Sequence, residues 1–181
     1  PGRSTAAMAL ISGDLLVGFA PPKDAKAGGG VPGAWQQSAT GMKKAWEGEW
    51  MANDENMTVT LGLNRAYVQG REESRALDLA SGRCVAAAKG KEGFPGLHGP
   101  GSNPWLAVVG EHLLLNPEGQ HGGQSFMLLD LDLKPLSVWH PPHTHDSAYA
   151  VMPLAHPVVD GRLFIRGQDG LYCYDLRKAA P

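Results

Sequence analysis

Short apolar runs broken by turn residues set the pattern of this chain. Leu163-Phe164-Ile165 and Leu171-Tyr172-Cys173-Tyr174 are apolar at nearly every position. A strand with one wet face would alternate polar and apolar. Sheets covered on both faces give the near-continuous pattern instead. The runs also share an order. A turn leads into an apolar strand at Gly13-Asp14-Leu15-Leu16-Val17, Leu63-Asn64-Arg65-Ala66-Tyr67-Val68, Gly110-Glu111-His112-Leu113-Leu114-Leu115 and Gly161-Arg162-Leu163-Phe164-Ile165. Another short run precedes each: Ala6 to Ile11, Met57 to Leu61, Trp105 to Val109 and Met152 to Val159.

A third run closes on Asp-Leu in Arg75-Ala76-Leu77-Asp78-Leu79, Phe126-Met127-Leu128-Leu129-Asp130-Leu131 and Leu171-Tyr172-Cys173-Tyr174-Asp175-Leu176. In the first stretch, Ala39-Thr40-Gly41 matches Ala80-Ser81-Gly82. The unit is therefore strand, tight turn, strand, loop, strand, Thr-Gly-type turn, strand. Asp78, Asp130 and Asp175 are spaced 52 and 45 residues apart. A four-stranded propeller blade takes ~40–50 residues. Four such units are predicted, at about 5–50, 56–90, 104–141 and 148–178, the last ending after its third strand. The expectation is an all-β chain of about 15 strands, a single partial β-propeller over 1–181. Met42 to Asn53 carries a competing signal, because Trp46 and Trp50 also suit one helix face.

The repeated residues have physical roles in this reading. Asp78, Asp130 and Asp175 are placed to accept turn N–H groups. Trp139 follows Asp130 by nine residues, Trp46 follows Gln37 by nine, and Ala87 takes that place after Asp78. Trp46 and Trp139 are large enough to fill the gap between neighbouring blades. Gly41 and Gly82 end the turns.

Asp78…Ser81-Gly82 with Trp46 or Trp139 resembles the Ala-x-Asp-x-x-Thr-Gly-x-x-x-x-Trp pattern of pyrroloquinoline-quinone-type (PQQ-like) propeller repeats. The segment from Val158 to Leu176 is similar to one such repeat, as is 58–83. The resemblance implies that the chain is the C-terminal portion of a larger ring. It further implies a bacterial cell-envelope, periplasmic or secreted location. It allows two functions: a non-catalytic scaffold that binds a protein or small ligand at one rim without cofactor, or part of a quinoprotein dehydrogenase that oxidises alcohols or sugars with PQQ and Ca²⁺. Hard Ca²⁺ takes carboxylate and amide oxygens, and several of those enzymes carry a vicinal disulfide. This chain has no adjacent Cys pair and no carboxylate that stands out as a base. The scaffold reading is therefore preferred, and no catalytic or quinone-binding residue is assigned.

Composition narrows the remaining classes. Gly and Pro make up 24 and 14 of the 181 residues, too many breakers for a helical bundle. The longest apolar run is six residues, Ala6 to Ile11, against roughly 20 for a membrane-spanning helix. The formal charge of −2 comes from interspersed acids and bases, which gives no basic patch for nucleic acid. Cys84 and Cys173 lie in apolar runs and are expected as buried thiols. Gly28-Gly29-Gly30-Val31-Pro32-Gly33 has the letters of a dinucleotide fingerprint, but no strand precedes it and Pro32 blocks the helix start.

Strand alternation puts the loops around 88–104, 116–124 and 140–148 on one rim. Five of the seven His fall there: His98, His121, His140, His143 and His145. His143-Thr144-His145-Asp146 places two imidazoles on one side of an extended segment, which suits two ligands of one metal. His98 or His121 would supply a third. The competing reading is a solvated polar loop.

Overall fold

A computed structural model describes residues 9–20, 29–52, 58–70, 73–89, 105–116, 126–141, 156–166 and 170–177. These residues form sixteen strands and no helix. The first sheet holds β1 (Leu10–Ser12), β2 (Leu15–Ala20), β3 (Gly29–Ser38), β4 (Gly41–Glu47) and β5 (Met51–Ala52). The second holds β6 (Thr58–Gly62), β7 (Arg65–Gln69), β8 (Glu73–Asp78) and β9 (Cys84–Lys89). The third holds β10 (Trp105–Val109), β11 (His112–Asn116), β12 (Phe126–Leu129) and β13 (Pro135–Trp139). The fourth holds β14 (Val158–Val159), β15 (Arg162–Arg166) and β16 (Leu171–Asp175).

Each sheet is a meander in chain order, and every ladder is antiparallel. β5 continues the β4 edge by pairing Met51 and Ala52 with Gly30 and Gly29 of β3. The segment after Gly41 is therefore a strand, not a helix. Trp46 pairs with Ala34 while Trp50 lies 46% exposed, so the two indoles do not share a face. Tight turns set the register. Leu63 and Asn64 have φ of 52° and 59°, and Asp160 and Gly161 have 49° and 70°. Paired positive φ values match the twist of a two-residue hairpin.

On the inner strands β7 and β11 the apolar residues of both faces have partners. On β7, Ala66 and Val68 face the first sheet, with Val17, Ala34, Trp46 and Met51. Tyr67, between them, faces the third sheet with Leu106, Leu113, Leu115 and Leu129. On β11, Leu114 points the other way and joins Phe126, Leu163 and Ile165 in the seam with the fourth sheet. Successive side chains of a strand point to opposite faces, so one strand serves two seams. The first strands of neighbouring sheets lie side by side, β1 against β6 and β6 against β10. The sheets thus stack face to face around their first strands.

The cysteine expectation is corrected. Cys84 and Cys173 are both exposed free thiols. Cys84 opens β9, the outer strand of its sheet. Cys173 pairs with Phe164, one residue out of phase with the inward Leu163–Tyr174 pair, so it lies on the face turned away from the third sheet. Apolar character in these runs did not distinguish covered strands from outer ones.

Candidate interaction surface

The Asp-Leu turns are where neighbouring sheets lock together. In the second sheet, Asp78 Oδ1 accepts from the Ser81 hydroxyl at 2.6 Å and the Ser81 N–H at 2.9 Å. These bonds hold its carboxyl below the usual carboxylate range. The fixed turn directs the Leu79 carbonyl at the first sheet, where the Trp46 indole N–H donates to it at 2.8 Å. Trp46 is 6% exposed. Gly82 has φ +71°, and a Cβ there would lie 2.5 Å from the indole. Glycine is required at that position both for its backbone angle and for the close approach.

The ladders show why this lock is not repeated letter for letter. Val17, Tyr67 and Leu114 are each the third residue of a second strand, and they pair with Ala34, Ala76 and Leu128. Those in turn pair with Trp46, Ala86 and Ser137. Trp46 therefore corresponds to Ala86 and Ser137, and Trp139 stands two residues further along its strand. A fixed count of nine does not reach the same position in each blade, because the turns differ in length: eight residues separate the paired Trp35 and Lys44, six separate Leu77 and Cys84, and five separate Leu129 and Pro135.

The second seam replaces the missing indole with other groups. The Arg65 guanidinium donates to the Leu131 carbonyl, which directly follows Asp130 as Leu79 follows Asp78, and to Asp132 Oδ1 at 2.8 Å. The bond to Asp132 raises the Arg65 pKa. Leu133, 2% exposed, fills the volume from the third sheet's own turn at φ +67°. Asp130 Oδ1 accepts from the Asp132 and Lys134 N–H groups, both at 2.9 Å. Gly62 completes this seam, since a Cβ there would lie 2.7 Å from Val108. In the third seam, Trp139 is half-buried and packs edge-on against Tyr174 at 4.8 Å. Asp175 accepts from Arg177 N at 3.0 Å and Nε at 2.7 Å, and the guanidinium holds its carboxyl well below the usual range. At the first sheet's turn, Ser38 Oγ donates to the Gly41 carbonyl at 2.6 Å. A Cβ on Gly41 would meet nothing within 4 Å.

The first strands border a cleft of about 530 Å³. Its lining comes from Leu10 and Ile11 of β1, Thr58 to Leu61 of β6 and Trp105 to Val108 of β10. No ionisable side chain is among these ten residues. The two threonine hydroxyls are already engaged: Thr58 donates to Gln69 Oε1 at 2.7 Å and Thr60 to the Leu106 carbonyl at 2.9 Å. A Ca²⁺ ion needs several oxygen ligands, carboxylates foremost, so this lining does not fit one. Ile11 is 75% exposed at the mouth.

His98, His121, His143, His145 and Asp146 all lie outside the described residues. Among the described residues, no three His, Cys, Asp or Glu side chains group as a metal site. No described helix is long and apolar enough to cross a membrane.

No protein-family model matches the chain, and no curated protein matches it. Solved structures do. BamB from Moraxella catarrhalis superposes with a TM-score of 0.53 at 13% identity, over 93% of this chain and 60% of that one. The chain folds as part of a β-propeller. Its four sheets are consecutive blades, and it spans less than two thirds of the BamB chain. Hsv2 from Kluyvelomyces marxianus gives a TM-score of 0.41 at 7% identity, over 91% of this chain and 48% of that one.

Proposed function

We propose that this propeller is built from PQQ-like repeats and serves as a non-catalytic scaffold that binds a protein in the bacterial cell envelope. The observation that carries the reading is the cleft along the first strands: apolar, open, bordered by three blades and, among the described residues, without an ionisable lining side chain. Acid–base or metal chemistry needs titratable or ligating groups at the reacting atoms. An apolar cleft between rigid sheets suits burial of another chain's side chains instead. The repeat assignment is supported by the Asp78–Ser81–Gly82 turn with Trp46 docked on it. The envelope location follows from the family resemblance, with the BamB-like fold in its favour.

A PQQ-dependent dehydrogenase is the competing function. Titrating the protein with PQQ and Ca²⁺, followed by a dye-linked assay with alcohols and sugars, separates the two. The scaffold reading expects no saturable quinone binding and no turnover. Tight quinone binding with substrate oxidation would overturn it.

A further inference from the structure

Among the described residues, the one buried histidine lies in the seam between the third and fourth blades. His156 precedes β14 and is 4% exposed. Its ring stands edge-on to two aromatics of the third blade, with centroids 5.1 Å from Trp105 and 5.5 Å from Phe126. The other described seam residues are Leu114, Leu163, Ile165, Val109, Trp139, Val158 and Tyr174. His156 thus sits on the joint between two blades, where any change in its charge acts on both.

Among the described residues, the groups facing that joint carry no negative charge for an imidazolium. From the third blade, β10 presents Trp105 and Val109, β12 presents Phe126 and β13 presents Trp139. β11 presents Leu114 and Asn116, with His112 exposed at the far end of the strand. From the fourth blade, β15 presents Leu163 and Ile165, and β16 presents the phenols Tyr172 and Tyr174. Arg162 and Asp175 lie on the opposite face of that sheet. No carboxylate among the described residues faces the ring. A buried charge without a counter-charge is costly, and cation–π attraction offsets only part of the lost hydration.

We propose that the seam between the third and fourth blades is an acid-opened joint, and that protonation of the His156 imidazole releases the fourth blade from the third. Burial holds the closed-state pKa at about 4, against 6.5 for a free imidazole. The sign follows from proton uptake. Above 6.5 both states are neutral and the seam is closed. Below it only the opened seam takes the proton, so the ratio of open to closed rises about tenfold per pH unit. The rise levels off below the closed-state value. Two units of acidification, to about pH 4.5, therefore favour opening by about 100-fold.

Hydrogen-exchange mass spectrometry at pH 7.5 and 4.5, corrected for intrinsic exchange rates, tests this on the whole chain and on His156→Phe. The wild type should lose about 100-fold protection over β10–β12 and β14–β15, while β7 and β8 of the second blade change little. His156→Phe keeps an aromatic filler without a proton site, and it should lose the difference between pH values. An equal loss over all blades, no loss at the seam, or the same response in His156→Phe overturns the proposal. Should His156→Phe not fold, NMR titration of the wild-type His156 ring decides. A midpoint near 4 supports the joint, and a midpoint near 6.5 overturns it.

Discussion

Replacing Trp46 by Ala tests the way one blade is locked to the next. The indole buries up to ~250 Å², worth ~6 kcal/mol at ~25 cal/mol per Å². Partial burial in the denatured chain makes that a ceiling. Trp→Ala changes in cores fall at ~3–5 kcal/mol, and Trp46 is only 6% exposed. The bond to the Leu79 carbonyl accounts for ~1 kcal/mol of this, so Trp46→Phe should recover most of the loss. In a chain of this size, 1 kcal/mol moves Tm by ~2–4 °C. Trp46→Ala should therefore melt ~6–20 °C below wild type when followed by circular dichroism. Trp139→Ala should cost less, ~1–2 kcal/mol, because that ring is half-buried and holds no turn carbonyl among the described contacts. If Trp46→Ala melts within about 2 °C of wild type, the indole is not a lock and the seam account fails.

Gly82→Ala places a Cβ 2.5 Å from the same indole at φ +71°, so it should destabilise by at least ~2 kcal/mol in urea titration. Arg65→Met removes the donor to the Leu131 carbonyl and Asp132; a loss of ~1–2 kcal/mol is expected in the same titration. Leu63→Asn relieves an exposed leucine held at φ 52°, and should raise stability by up to ~1 kcal/mol in thermal melts. Asp78 has a lowered folded-state pKa, so its contribution is present above ~4 and is lost as pH falls below that value. Melting curves from pH 6 to 3 should show a smaller acid loss in Asp78→Ala than in wild type.

The blade pattern was legible because it rests on short-range physics. Alternating residues such as Ala66, Tyr67 and Val68 serve two seams, and that produces the two-faced apolar strands visible in the sequence. Asp78 and its Ser81-Gly82 turn are local as well. The seam partners were not legible, since they join residues far apart in the chain. That Arg65 meets Leu131, or that Leu133 packs in the seam with Ala86, depends on third-to-fourth-strand turns whose lengths differ from blade to blade. This is why a fixed count from the Asp does not reach the same strand position in each blade, and why Trp139 stands two residues beyond the position of Trp46. The cleft was hidden for another reason: its lining is made of ordinary strand residues such as Ile11 and Thr60, with no motif to mark them. His156 carried a signal of a kind, as a lone imidazole set between Leu154-Ala155 and Pro157-Val158, but only the third blade's Trp105 and Phe126 give it meaning.

Site-specific photo-crosslinking from the cleft tests the central claim most directly. A benzoylphenylalanine in place of Ile11 sits at the cleft mouth, and one in place of Leu136 sits on an outer strand at 53% exposure as the control. The full chain is expressed and irradiated in the cells that make it. The account predicts a discrete protein adduct from position 11, recovered in the envelope fraction and absent from position 136. No adduct from position 11, or the same adducts from both positions, would contradict a scaffold that binds through the cleft along its first strands.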